Sequence, residues 1–372
     1  MKFAVVGAGV GGLAAAYDLN LAGHEVVVYE ASDHVGGLSA GFKDEGWDWS
    51  VERYYHHWFA TDQYILNLIE EFGWSDDVVF PRPITAVFHE EKFYPFDSAL
   101  AVLRFPGIPF FDRLRIGAVV AYLKLTPNWK ILEKITAVSW IRRWGGQKAY
   151  ETLWKPLLVG KFGPHYRDVN MAWFWARFKA RTQRLGTFKG GFQTLLDRMA
   201  EELRQRGVKI QLSCPVELIE RHDAGGIRVQ SAGESEVFDQ CLTTTSPAIL
   251  ARTAPSLPNQ YLEQLLRLKS MGAVVLILAL KQRLSEGGIY WHNLPKDAGF
   301  PFLSLVEHTN FLSPEYFGGD HIIYCGDYLE PDHEYFSFSK DDLVERFIPS
   351  IQRINPDFEA HWIRASWLFK TG

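Results

Sequence analysis

At 372 residues with a net charge of −5, the chain can bury a large core, two lobes are expected, and no basic excess points to nucleic acid. Charged (22%) and hydrophobic (47%) residues are ordinary for a soluble protein, and the longest apolar run, Ala273 to Leu280, is far too short to cross a bilayer. Cys214, Cys241 and Cys325 lie far apart and fit a reducing cytoplasm better than a disulfide framework, and the histidines show no metal-ligand spacing, so no metal is expected.

Lys2 to Val6 is a short apolar run. Gly7-Ala8-Gly9-Val10-Gly11-Gly12 follows, then an Ala- and Leu-rich segment to Leu21. Glu25 to Tyr29 is a second apolar run, closed by Glu30 and Ala31, with Gly36-Gly37-Leu38 soon after. The pattern reads as strand, glycine turn, helix, strand, acid, which is the dinucleotide-binding unit. Gly7 permits the tight turn, Gly9 lets backbone approach a pyrophosphate, and Gly12 lets helix pack close on strand. Amides at the helix start then face the phosphates. Glu30, 18 residues after Gly12, is placed to accept the hydroxyls of an adenosine ribose, and its charge disfavours a 2′-phosphate. A secretory signal would need an unbroken apolar core, and these glycines break it.

Thr61 to Phe72 has helical periodicity, with Ile65, Leu68, Ile69 and Phe72 on one face. Ile84 to His89 and Lys92 to Tyr94 read as a hairpin, and Pro95 to Pro109 as a loop. Asp112 to Leu125, Lys130 to Trp144 and Lys148 to Trp154 read as helices. Arg142, Arg143, Arg177 and Arg181 are expected as ordinary solvated charges on helix faces. Aromatic residues make up 15% of the chain, many of them between Trp129 and Phe192. They suit a bulky helical core, with a few left to line an apolar or planar substrate. Trp173, Phe174, Trp175 and Phe178 form a pocket wall or a surface patch. Gly191 to Gln205 is an amphipathic helix with Leu195, Leu196, Met199 and Leu203 on one face. Val208 to Leu212, Val216 to Arg221, Ile227 to Gln230, Glu236 to Phe238 and Cys241 to Thr244 read as short strands, and Pro247 begins a helix. Ala273 to Lys281 is a buried strand with partners at Tyr290-Trp291, Phe302 to Glu307 and His321 to Cys325, and Lys340 to Ile351 is a helix.

Three separated motifs together resemble the flavin amine-oxidase superfamily, which includes protoporphyrinogen oxidases, carotenoid desaturases and the more distant UDP-galactopyranose mutases. The first is the glycine turn with Glu30 and the later Gly36-Gly37. The second is Thr187-Phe188-Lys189-Gly190-Gly191-Phe192, leading through a helix to Cys214-Pro215-Val216. The third is Leu242-Thr243-Thr244-Thr245-Ser246-Pro247. Trp154-Lys155-Pro156-Leu157 with Phe162-Gly163 looks most like the oxidase and desaturase branch.

The resemblance implies an α/β fold: a Rossmann-like FAD-binding domain (residues 1–75 and 186–255) and a substrate lobe of antiparallel sheet plus helices (76–185 and 256–372). It implies FAD without a covalent tether. The cofactor-binding positions carried over are Gly7, Ala8, Gly9, Val10, Gly11, Gly12, Glu30, Ala31, Gly36, Gly37, Leu38, Tyr55, His56, Val216, Thr245 and Ser246. Val216 matches the backbone that contacts adenine. Tyr54-Tyr55-His56-His57 aligns with the segment beside the flavin ring, and His57 is either the catalytic neighbour of the ring or a histidine packed under the following helix. The implied activity is hydride removal from an apolar or planar small molecule, with a flavin-dependent sugar-nucleotide mutase or a non-catalytic flavin-fold protein as alternatives. Leu276 stands where amine oxidases carry a lysine, which points away from amines. The family's closing Gly-Asp strand and helix are not found after the substrate lobe, so the chain is expected to be truncated at its C-terminus, and Gly326-Asp327 is read as the end of a substrate-lobe strand. Peripheral membrane contact is an open expectation with no strongly basic amphipathic helix to carry it. The sequence gives no oligomeric state.

Overall fold

The computed structural model describes residues 1–372, residue 99 by its backbone only. The chain forms two compact units, one from Met1–His56, Leu68–Asp77 and Phe188–Ser270, the other from His57–Asn67, Val78–Thr187 and Met271–Gly372.

The first unit is built on a parallel sheet in the order Lys209–Gln211, Glu25–Tyr29, Lys2–Val6, Gln240–Thr243. Val5 pairs with Val28 on one side and Leu242 on the other. A strand bonded on both edges and covered on both faces must be apolar along its covered part, and Ala4 and Val5 are fully buried. Helix Val10–Leu21 crosses between the first two strands and packs against helix Phe192–Gln205, whose Leu195, Leu196, Met199 and Leu203 are buried. The antiparallel strands Val216–Arg221, Ile227–Ser231 and Glu234–Phe238 follow. Val229 and Phe238 join Ala4, Val27 and Tyr29 in one core.

The second unit holds a seven-stranded sheet in the order Ile363–Thr371, Gly272–Leu280, His321–Leu329, Ser304–Glu307, Ile289–Asn293, Ile84–His89, Lys92–Pro95. Its neighbours run antiparallel except Ile289–Asn293 beside Ile84–His89. Side chains alternate across the sheet. Val274, Leu276, Leu278 and Leu280 enter a core with Leu343, Phe347 and Ile351 of helix Lys340–Ile354. Val275 and Ile277 therefore point to the opposite face. There their register partners are Gly326 and Phe369, and Tyr324 and Trp367. Tyr328 and Ala273 continue that face.

Helices Ala99–Arg104, Phe110–Leu125, Ala137–Gly145, Lys155–Phe162 and Met171–Ala180 complete this unit. They enclose Phe105, Ile116, Leu123, Trp154, Leu158, Met171 and Phe174, so most rings of the aromatic block serve as core. Several local expectations are corrected. The segment 95–109 is not all loop: the Ser98 hydroxyl caps a helix by accepting the Ala101 N–H at 3.2 Å. The helix expected over 130–144 is split. The Ile135 carbonyl accepts the Met171 N–H and the Ala137 N–H donates to Val169 O, bridging Thr136 to Asn170, and Thr136 then caps the helix that follows. Helix Asn259–Leu266 and strand Ile363–Thr371 were not anticipated. Gly326-Asp327 lies inside strand His321–Leu329 rather than at its end, with Asp327 buried and paired to Lys296 at 2.8 Å. Among the described residues no helix is long and apolar enough to cross a membrane.

Candidate functional site

The glycine turn owes its shape to contacts no side chain could survive. Gly7 has φ +103°, and its N–H donates to Tyr29 O at 2.8 Å. A Cβ on Gly12 would lie 1.8 Å from Gly7 O, so the helix meets the strand closely only because residue 12 has none. The first intrahelical bond runs from Leu13 N–H to Gly9 O. Val10 and Gly11 lie exposed, and Gly9 offers no side-chain cap to the first-turn amides. The helix start thus presents uncapped donors and the positive end of its dipole.

Glu30 closes this corner. Its Oε2 accepts the Ala8 N–H at 2.7 Å and its Oε1 the Ser32 N–H at 2.9 Å. Each oxygen keeps a further lone pair, so the carboxylate is aimed and still able to accept hydroxyl donors. Gly36 N–H donates to Ala8 O at 2.9 Å, and a Cβ on Gly37 would sit 3.3 Å from the Gly9 Cα. The two glycine pairs therefore lie backbone to backbone. Glu30 also anchors the returning chain: its N–H donates to Gln211 O and its carbonyl accepts the Cys214 N–H. That leads directly to Val216, which packs against the core formed by Val6, Ile219 and Ala254.

On the far side, Thr244 Oγ1 donates to Val6 O at 3.1 Å, while the buried Thr245 Oγ1 has no partner. An orphaned buried hydroxyl beside an anion-seeking turn fits a bound dinucleotide. Ser246 is otherwise engaged, its hydroxyl capping helix Pro247–Thr253. Ala31 and Leu38 are exposed. The structure thus gathers Gly7–Gly12, Glu30, Gly36-Gly37, Val216 and Thr245 at the carboxyl ends of the parallel strands.

Tyr55 and His56 end the opening segment of the first unit. The His56 ring lies 6.3 Å from that of Phe192, and burial lowers its pKa. His57 belongs to the second unit, where Phe59, Tyr290 and Trp291 meet its ring edge-on at 5.6, 6.3 and 6.1 Å.

Sequence reasoning missed Glu52. It is buried and accepts the Phe192 N–H at 2.9 Å, at the start of the helix that the Gly190-Gly191 motif opens, and burial pushes its carboxyl up to about 7. Those glycines are needed because Ser50 crosses them: a Cβ on Gly191 would lie 2.2 Å from Ser50 Oγ. The expectation for the arginines holds only in part. Arg142 and Arg143 are exposed, but Arg177 and Arg181 are only partly accessible. Among the described residues no group of three or more His, Cys, Asp or Glu could hold a metal.

A family model described as flavin containing amine oxidoreductase matches residues 10–367. The chain belongs to that family. As a flavin containing amine oxidoreductase family member it takes FAD as cofactor. The 15-cis-phytoene desaturase of Glycine max is 22% identical over 390 residues, covering 96% of this chain and 66% of that protein. Alignments to the first curated relatives span only 27% to 66% of those proteins' own lengths. A provisionally assigned protoporphyrinogen oxidase from Exiguobacterium sp. 255-15 superposes with a TM-score of 0.77 at 18% identity, covering 99% of this chain and 86% of that one. Reduced UDP-galactopyranose mutase superposes with a TM-score of 0.76 at 16% identity, covering 99% and 82%. Identities this low establish the shared α/β fold.

Proposed function

We propose that the chain is an FAD-dependent oxidoreductase that takes hydride from a small molecule with an apolar or planar body. The observation that carries this is the Glu30 carboxylate fixed by the Ala8 and Ser32 amides against an uncapped helix start, in a chain the family model matches almost throughout. Bound FAD supplies a two-electron acceptor. The amides of Gly9 to Gly12 hold the pyrophosphate, Glu30 holds the adenosine ribose, and Val216 lies along the adenine. Gly36-Gly37 lets backbone pass close to the phosphates, and Thr245 finds its hydrogen-bond partner there. Tyr55 and His56 are assigned to the flavin end of the cofactor, and within the second unit Tyr290 and Trp291 set the ring of the candidate catalytic residue His57. The sheet face carrying Tyr328, Trp367 and Phe369 offers rings to a planar body, and Gly326 and Ala273 leave it room.

An absorption spectrum of the purified chain, with and without added FAD, tests this. The expected result is a flavin spectrum that bleaches anaerobically with a substrate from a panel of amines, porphyrinogens and polyenes. A chain that takes up no flavin at micromolar FAD overturns the reading.

A separate observation supports a lipid contact. Helix Phe110–Leu125 buries Ile116, Val119 and Leu123, yet its other side is also apolar: Phe110, Leu114 and Tyr122 are exposed, Phe111 is 78% and Leu125 80% exposed. Leu100, Leu103 and Ile131 extend the patch, and Arg104, Lys124 and Lys130 flank it. We infer that this helix lies on an anionic membrane surface in a reducing cytoplasm, where Cys214, Cys241 and Cys325 stay unpaired. Wild type should sediment with phosphatidylserine vesicles and the Phe111→Ser/Leu125→Ser variant should not; equal sedimentation of the two removes this contact.

A further inference from the structure

Helix Met171–Ala180 sends Met171 and Phe174 into the core and turns Trp173 and Arg177, one helical turn apart, onto another face. Arg181 follows at the end of the helix. The Arg177 guanidinium lies 5.6 Å from the centre of the Trp173 ring. Lys161, near the end of helix Lys155–Phe162, brings its ammonium 4.3 Å from the centre of the Tyr328 ring. Tyr328 belongs to the aromatic sheet face described above, so the cations stand at one end of that face.

These three side chains are only partly accessible, and among the described residues none has a carboxylate within ion-pair distance. Burial, and behind it the charge of Arg177, pushes the Lys161 ammonium down against the pull of Tyr328. Burial lowers Arg177 as well, and Arg181 is lowered by burial and by Arg177, with Asp97 attracting it from beyond ion-pair distance. The nearest acid along the strand, Glu330, is turned to His165 at 4.0 Å.

A fold does not gain stability by gathering cations out of water without counter-charges. Aromatic faces offset part of that cost and leave the charge itself uncompensated. Arg142 and Arg143, on a nearby helix of the same unit, are exposed, so arginine here is not forced inward by packing. The same field repels a protonated amine and does nothing for a neutral hydrocarbon.

We propose that Lys161, Arg177 and Arg181 bind the anionic group, a carboxylate or a phosphate, of a substrate whose remaining body is apolar and lies on the aromatic sheet face. This rests on the oxidoreductase reading and names its substrate class. The arrangement explains why the charges are tolerated: the ligand completes them, with charge-assisted hydrogen bonds from the guanidinium forks and the ammonium.

The test is calorimetric titration of the FAD-loaded protein with pyrophosphate and with glutarate, loading keeping the cofactor's own phosphate site filled. One or both probes should bind at millimolar concentration or tighter. Binding of pyrophosphate alone marks a phosphate-bearing substrate, and of glutarate alone a carboxylate. Arg177→Gln and Lys161→Gln should each weaken binding roughly tenfold or more, as expected for a lost charge-assisted hydrogen bond. Their unfolding midpoints should stay level or rise, because a buried repulsion is relieved. Arg142→Gln should change neither. Absence of binding by both probes, binding unaltered in the variants, or a lower unfolding midpoint with the charges removed overturns the proposal. Flavin absorbance read on the same samples keeps the two ideas apart. A chain without flavin overturns the oxidoreductase reading, while the probes and variants still decide the anion site.

Discussion

Glu30 is gripped by two amides before any ligand arrives, one on each carboxylate oxygen. The geometry that aims the remaining lone pairs at a ribose is therefore paid for in folding, and binding need not order the side chain. Replacing it tests the residue directly. In Glu30→Gln one oxygen remains to accept, and FAD affinity should fall about tenfold. In Glu30→Lys no acceptor remains and the Ala8 and Ser32 amides lose their partner, so the fall should reach roughly 100-fold or more. Quenching of flavin fluorescence on titration with protein measures both. Wild-type affinity in the lysine variant would remove Glu30 from the site.

Two neighbouring strands, Ile289–Asn293 and Ser304–Glu307, carry a buried pair with its own pH behaviour. His292 Nε2 lies 3.5 Å from Glu307 Oε1, and the Ser285 N–H donates to Glu307 Oε2 at 3.2 Å. Burial raises the Glu307 carboxyl from 4.5 to about 7 and lowers His292 from 6.5 to about 4. Between pH 4.5 and 7 the folded chain keeps the Glu307 proton that the unfolded chain has released, so this group's contribution falls as pH rises through that window. His292 works in the opposite sense: the unfolded chain takes up a proton that the folded chain refuses, and stability falls as pH drops from 6.5 towards 4. The two slopes largely cancel in the wild type. Glu307→Gln removes one of them, so the variant's stability relative to wild type should grow by about 3 kcal/mol from pH 4.5 to 7. Urea unfolding at both ends of that range reads it, and a difference independent of pH would show that Glu307 is already ionised in the fold.

At the scale of the whole molecule, the sequence disclosed what repeats a local rule and concealed what depends on distant neighbours. The strand–glycine turn–helix unit was legible because its glycine spacing repeats a local pattern, with Gly12 packed on Gly7 O, and the amphipathic helix Phe192–Gln205 because its period is regular. Helix Phe110–Leu125 was read as a helix, but an apolar residue on its outer side looks the same in sequence as one on its inner side, so the exposed patch was invisible. Arg177 and Arg181 passed as solvated charges because helical spacing says nothing of what covers a face, and Glu52 escaped notice because its partner is 140 positions away at Phe192. The first unit is likewise assembled from three stretches of chain, Met1–His56, Leu68–Asp77 and Phe188–Ser270. A ligand seated there must stabilise segments that are remote in sequence at the same time. At FAD concentrations 100 times its Kd that gain is about 2.7 kcal/mol. Hydrogen exchange should therefore slow together around residues 8–13, 30–38, 211–216 and 244–246. The core strand Gly272–Leu280 of the second unit, whose amides are already bonded on both edges, should change little. Protection confined to the second unit would mean that the dinucleotide is held by other residues, because a ligand seated on the glycine turn must slow exchange in the segments that form it.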